Sequence, residues 1–128
     1  FVGDDGAAYD PATDRWRLLP QAPLGARTAP AGVWTGREMV IWGGIGLPGA
    51  GDNSPLDTIV ERRTLLYPVA DGAAYDPATN RWRSVEPVPL LGRGFPIAAW
   101  DGQGMILWGG LVVVSSPASA SEGVRYTP

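Results

Sequence analysis

The chain has 128 residues, 45% of them hydrophobic, with a net charge of −3 and a pI near 4.7. That supplies enough apolar material for a packed core, no run is long enough to span a membrane, and the acidic balance without a basic stripe excludes nucleic acid as a partner. Neither Cys nor His occurs, which removes disulfides, thiol nucleophiles, Ser-His-Asp triads and the usual zinc sites, so no metal or other cofactor is expected. All ten basic residues are Arg, which fits the coding bias of a GC-rich genome. The chain opens on Phe1 with no visible signal peptide and reads as a piece of a longer protein.

Taken in order, every predicted element is a strand. Residues 6–9 and 15–19 form a first hairpin. Strands at 28–34 and 38–43 flank the turn Thr35-Gly36-Arg37-Glu38. Strands at 72–75 and 81–85 are joined through Asp76-Pro77-Ala78-Thr79-Asn80, where Pro77 pre-sets φ and Asn80 accepts a left-handed backbone. Asp14 plays that part in the first hairpin. Strands at 94–100 and 104–109 flank Asp101-Gly102-Gln103-Gly104, and a last strand covers 123–126. The runs Met39–Trp42 and Met105–Trp108 are continuously apolar, which predicts burial on both faces of the sheet.

The order repeats. Gly6–Gly44 aligns without a gap on Gly72–Gly110, each residue 66 positions before its mate, and 21 of the 39 pairs are identical. A repeat of this length describes a structural unit stacked on its neighbours. The pairs Gly43-Gly44 and Gly109-Gly110 lack phosphate-loop spacing and are expected where backbones approach closely at a strand end. All six Trp fall in three repeat-matched pairs. Trp16, Trp42, Trp82 and Trp108 are expected to pack between units, and Trp34 and Trp100 to lie at hairpin ends with partial exposure.

A Gly-Gly pair ending an apolar strand, then Tyr75-Asp76-Pro77, Trp82, Pro87, Pro89 and Arg93, resembles the kelch repeat. Tyr9, Trp16, Pro20, Pro23 and Arg27 end the preceding set, and Gly109-Gly110 with Tyr126 begin the next. The resemblance implies an all-β fold of antiparallel four-stranded blades, about two blades' worth of a β-propeller. Residues 1–26 would end one blade, 27–86 form a complete blade with an inserted loop at 45–71, and 87–128 start the next. The remaining blades would come from the same longer chain or from other copies. It also implies that Arg27 and Arg93 lie near one mouth of the channel, where arginines of some kelch proteins engage acidic ligands. The Gly, Ala, Pro and Arg bias resembles bacterial kelch proteins and is compatible with an extracytoplasmic location.

The non-repeating stretch is the other candidate for function. Thirty residues separate Gly44 from Tyr75, against 15 between Gly110 and Tyr126. The extra residues carry Asp52, Asn53, Asp57, Glu61, Arg62 and Arg63, expected as a set to border a binding surface for a protein or carbohydrate partner. Copper radical oxidases of the kelch type need Cys and His, which are absent from this sequence. The expected role is therefore a non-enzymatic binding scaffold. The alternative is a module of a secreted carbohydrate-active enzyme, a galactose-oxidase-like protein or a sugar isomerase, whose catalytic residues lie elsewhere.

Overall fold

A computed structural model describes residues 4–46, 67–113, 117–119, 121 and 123–128. The first hairpin pairs β1 (Ala7–Asp10) with β2 (Arg15–Leu18). A short β3 (Arg27–Thr28) precedes a four-stranded antiparallel sheet of β4 (Ala31–Trp34), β5 (Met39–Trp42), β8 (Gly72–Asp76) and β9 (Arg81–Ser84), in that spatial order. Between them β6 (Ile45–Gly46) and β7 (Tyr67–Pro68) pair with each other and with β3. A third sheet joins β10 (Ile97–Trp100), β11 (Met105–Trp108) and β14 (Gly123–Tyr126). Beside it β12 (Leu111–Val113) pairs with β13 (Pro117–Ser119). Among the described residues no helix is long and apolar enough to cross a membrane.

The expected strands are present with small shifts, except that 28–34 is split and 94–100 is shortened. The former is split after Thr28 because Ala29 takes φ 50°, and its repeat mate Phe95 does the same at 55°. The strand expected at 94–100 likewise begins only at Ile97. Neither residue type favours that conformation. A contact between the two repeats accompanies it, with the Phe95 amide donating to the Ala29 carbonyl at 3.2 Å. The remaining positive-φ positions are also repeat mates: Asp14 and Asn80, and the glycines at 36 and 102, 43 and 109, and 44 and 110.

The turns are closed by equivalent side-chain contacts. The Tyr9 hydroxyl donates to Asp14 and the Tyr75 hydroxyl to Asn80, at 2.8 and 2.7 Å. The Ala12 and Ala78 amides donate to the Asp10 and Asp76 carboxylates at 2.9 and 2.8 Å. In the other turn, Thr35 Oγ1 accepts from the amides of Arg37 and Glu38, and Asp101 Oδ1 from those of Gln103 and Gly104. A hydroxyl and a carboxylate do the same work there.

The core lies between sheets. One face of the middle sheet contributes Ala31, Val40, Trp42 and Ala74; the third sheet answers with Met105, Leu107 and Tyr126, and with partly buried Ala98, Trp100 and Val124. The register explains this division. Ala31 pairs with Trp42 and Val40 with Ala74, so these side chains share one face. The opposite face, carrying Met39, Ile41 and Tyr75, looks toward the first hairpin. Arginines from the outer strands tie neighbours together: Arg17 donates to the Tyr75 hydroxyl at 2.8 Å and Arg83 to the Tyr126 hydroxyl at 3.4 Å. The Trp82 indole donates to the Pro20 carbonyl at 2.8 Å.

Burial on both faces holds only in part for β5, where Val40 and Trp42 are buried and Met39 and Ile41 half-buried, and fails for β11. Met105 and Leu107 are buried, whereas Ile106 and Trp108 on the reverse face are exposed. Trp16 is exposed as well, while its mate Trp82 is half-buried. The expectation of packing therefore holds for Trp42 and, in part, for Trp82. Trp16 and Trp108 belong to faces that no described sheet covers.

Candidate functional site

The described residues offer two regions, one at each end of the middle sheet. The first is the corner where β5 ends in Gly43-Gly44. The Gly43 amide donates to the Asp71 carbonyl, Gly44 to Arg93, Val69 to Gly44 and Arg93 to Val69, at 2.7–3.2 Å. Backbones meet so closely that a Cβ on Gly43 would lie 2.8 Å from the Arg93 carbonyl oxygen, and one on Gly44 2.8 Å from that of Thr28. Only glycine fits here, as the sequence predicts.

Arg27 and Arg93 sit in this corner. Arg27 pairs with Asp71 at 2.8 Å, both side chains being almost fully buried. It donates to the Gly25 and Gly43 carbonyls at 3.0 and 3.1 Å. Arg93 is fully buried and donates to the Gly109 carbonyl at 3.0 Å, the repeat equivalent of the Arg27–Gly43 bond. A buried guanidinium needs such partners to offset its lost hydration. Both arginines thus brace the strand ends, and one Arg27 nitrogen, Nη2, is buried without a hydrogen-bond partner.

Asp52, Asn53, Asp57, Glu61, Arg62 and Arg63 lie outside the described residues. The stem that carries them does not: β6 and β7 lie against β3, with Arg27 opposite Gly46. The stem continues into Val69, Ala70 and Asp71, which are buried. The inserted stretch is therefore anchored beside Arg27. The 45–71 boundary includes core residues at its C-terminal end.

The second region is at the opposite end of the sheet. There the turns at 35–38 and 76–81 face the turn at 101–104 of the third sheet across an open groove of about 660 Å³. Arg83 grips Glu38 through two hydrogen bonds, at 2.6 and 3.0 Å. That grip holds the Glu38 carboxyl below its ordinary range and raises the Arg83 guanidinium. Asp76 is also lowered, first by the Ala78 amide and then by Arg37 at 3.3 Å. On the far wall Arg125 and the Gln103 and Gly104 amides lower Asp101. Trp82, Trp100, Gln103 and exposed Arg81 complete the lining.

Sequence reasoning concentrated on the other end and missed this groove. A signal was present inside the aligned block. Arg37 and Glu38 stand where the next repeat has Gln103 and Gly104, so charge changes while the turn's hydrogen bonding does not.

No family model matches the chain. It is 30% identical, over an alignment of 132 positions covering 83% of its length, to the N-acetylneuraminate epimerase of Yersinia enterocolitica. It superposes on a solved structure described as "Structure of YjhT" with a TM-score of 0.59 at 19% identity, over 87% of this chain. The chain spans about a third of each relative's length, 32% of the first and 35% of the second. The all-β antiparallel architecture and this superposition make the fold that of β-propeller blades.

Proposed function

We propose that the chain is a kelch-type segment of a β-propeller acting as a binding scaffold, with a carbohydrate as its ligand. The carrying observation is that side chains repeated between the two copies are committed to building the blade. Arg27 and Arg93 brace glycine carbonyls, Arg17 and Arg83 reach tyrosines of the neighbouring sheet, and Trp42 fills the core. Such residues form a rigid support, and specificity is left to the connections at the two ends. The similarity to an enzyme named for a sugar favours a carbohydrate over a protein partner. A glycan and protein array probed with this chain and with the longer protein containing it tests the reading. Binding to glycans is expected, and binding to proteins alone would overturn the carbohydrate assignment.

A second reading has the same similarity in its favour. The chain would be one section of a propeller enzyme that epimerises a sugar, with the catalytic groups supplied by other blades. Following sugar epimers by proton NMR with the longer protein separates the two. Faster interconversion supports the enzyme, and binding without interconversion supports the scaffold.

A further inference from the structure

We propose that the chain assembles head to tail with further copies of itself, the β10–β11 hairpin of one copy filling a slot beside β1 of the next. The proposal concerns assembly and goes beyond the binding-scaffold reading, whose ligand it leaves open.

The slot lies between the first hairpin and the middle sheet. Two cavities of about 220 and 460 Å³ run through it, and Leu19 and Met39 line both. Its floor is the reverse face of β4 and β5, where Gly32 stands opposite Ile41 and Trp34 opposite Met39. Its wall is the edge of β1 away from β2, which pairs with no strand among the described residues and presents a row of N–H and C=O groups. In the third sheet the mates of Met39 and Ile41 are Met105 and Leu107, buried against Ala31, Val40 and Trp42. The Met39 and Ile41 surface is thus complementary to a face of that kind. The chain carries one that is uncovered: Ile97, Ile106 and Trp108 are the repeat mates of Ala31, Val40 and Trp42, and all three are exposed.

The first hairpin supplies the other half of the fit. Beside β11, β1 takes the register that its mate β8 has with β5, which sets Tyr9 opposite Met105. Within one chain β14 holds that edge, with Tyr126 opposite Met105, so β14 yields it on assembly. β14 is a lone edge strand, whereas β1 arrives with β2 and completes four strands, as in the middle sheet. Tyr9, Trp16 and Leu18 share one exposed face of the hairpin. In the exchanged sheet that face meets the neighbour's middle sheet, where Arg83 reaches Tyr9 in place of Tyr126. Tyr75, the mate of Tyr9, already receives Arg17 in this way, and Tyr9 has no arginine donor among the described residues. The exchange covers six of the eight large apolar side chains exposed among the described residues.

Slot and hairpin are different surfaces, so the contact is heterologous and closes only as a ring. One chain spans 32% and 35% of its two relatives. Three copies therefore match the length of one relative, and the ring is a trimer.

Sedimentation of the 128-residue chain between about 1 μM and about 500 μM tests the assembly. The mass is expected to rise from that of one chain, in which the Trp108 face is bare, to three times 13.5 kDa. Ile106→Lys charges the hairpin face. Gly32→Glu fills the slot, where a Cβ has only the Val40 carbonyl oxygen within 4 Å, at 3.9 Å. Each variant alone should stay single, with unchanged circular dichroism verifying its fold. Mixed, the two retain one intact slot and one intact hairpin between them, and should pair and stop at twice 13.5 kDa. The chain has no Cys, so Ala8→Cys with Ile106→Cys in one chain reports the exchange. The two positions face each other when β1 of one copy lies beside β11 of another, and chains linked by disulfides are expected on a non-reducing gel. A single-chain mass throughout, association untouched by Ile106→Lys, folded variants that do not pair on mixing, or assembly without the cross-link each overturns the proposal.

Discussion

Trp42 and Trp108 occupy the same position in successive repeats, on strands of nearly the same sequence, yet one is fully buried and the other 53% exposed. Val40 and Ile106 differ in the same way, at 0% and 39%. Local sequence cannot account for this, since Met-Val-Ile-Trp and Met-Ile-Leu-Trp are equivalent strand formers. What differs is the neighbour. The Trp42 face meets the Met105 and Leu107 face of the next sheet, and no described sheet lies over the Trp108 face. In a stacked-sheet protein the unit of stability is thus the interface between repeats rather than the repeat itself.

Substitution at the two tryptophans tests this most directly. Trp42→Ala should cost about 3–5 kcal/mol by leaving a cavity in the inter-sheet core. Trp108→Ala should cost about 1 kcal/mol or less in the same chain. Urea unfolding followed by circular dichroism measures both. Equal losses would mean that the Trp108 face is covered in solution by another sheet.

A second contrast sets one glycine against another. Gly44→Ala places a Cβ 2.8 Å from the Thr28 carbonyl oxygen at φ 102°, and should cost about 2–4 kcal/mol. Gly36→Ala, at φ 94° with nothing within 4 Å, should cost only the backbone strain, about 1 kcal/mol. The same unfolding measurement reads both, and similar losses would show that the corner is looser than its hydrogen bonds imply.

The smallest expected effect is on acid stability. Glu38, Asp76 and Asp101 are lowered in the folded state, so each contributes stability above the unfolded carboxylate pKa, about 4. That contribution fades as pH falls through the folded values. Arg83→Gln should therefore leave a shallower loss of stability between about pH 5 and pH 3, seen as a flatter plot of urea midpoint against pH. An unchanged slope would show that the Glu38 pair is screened away by solvent.

Much of the fold was legible because turns and glycines carry local chemistry. Asp14 and Asn80 were expected in left-handed turns and adopt φ 53° and 55°. Gly43 and Gly44 were expected at close backbone approaches and occupy them. Ala29 and Phe95 were not legible, since their positive φ accompanies a hydrogen bond between repeats that no local preference encodes. The pairing of β6 with β7 was missed for a related reason: Ile45-Gly46 and Tyr67-Pro68 are too short to show a strand period, and they are held by β3. At the sites, repetition identified Arg27 and Arg93 as part of the pattern, and burial then showed what the pattern uses them for. The groove escaped notice because it is assembled from turns of two successive sheets and exists only once they are stacked.

The glycine corner has one more consequence. Its hydrogen bonds run from residue 44 to 93 and from 29 to 95, joining one repeat directly to the next through the backbone. Two bodies pinned there by backbone, with Trp42 and Leu107 of the core packed just before the glycines, are held at a set inclination. The corner therefore behaves as the apex of a wedge, and the small residues at 43 and 44 fix its angle. A single methyl group at either position would have to push the paired backbones apart and so widen that apex.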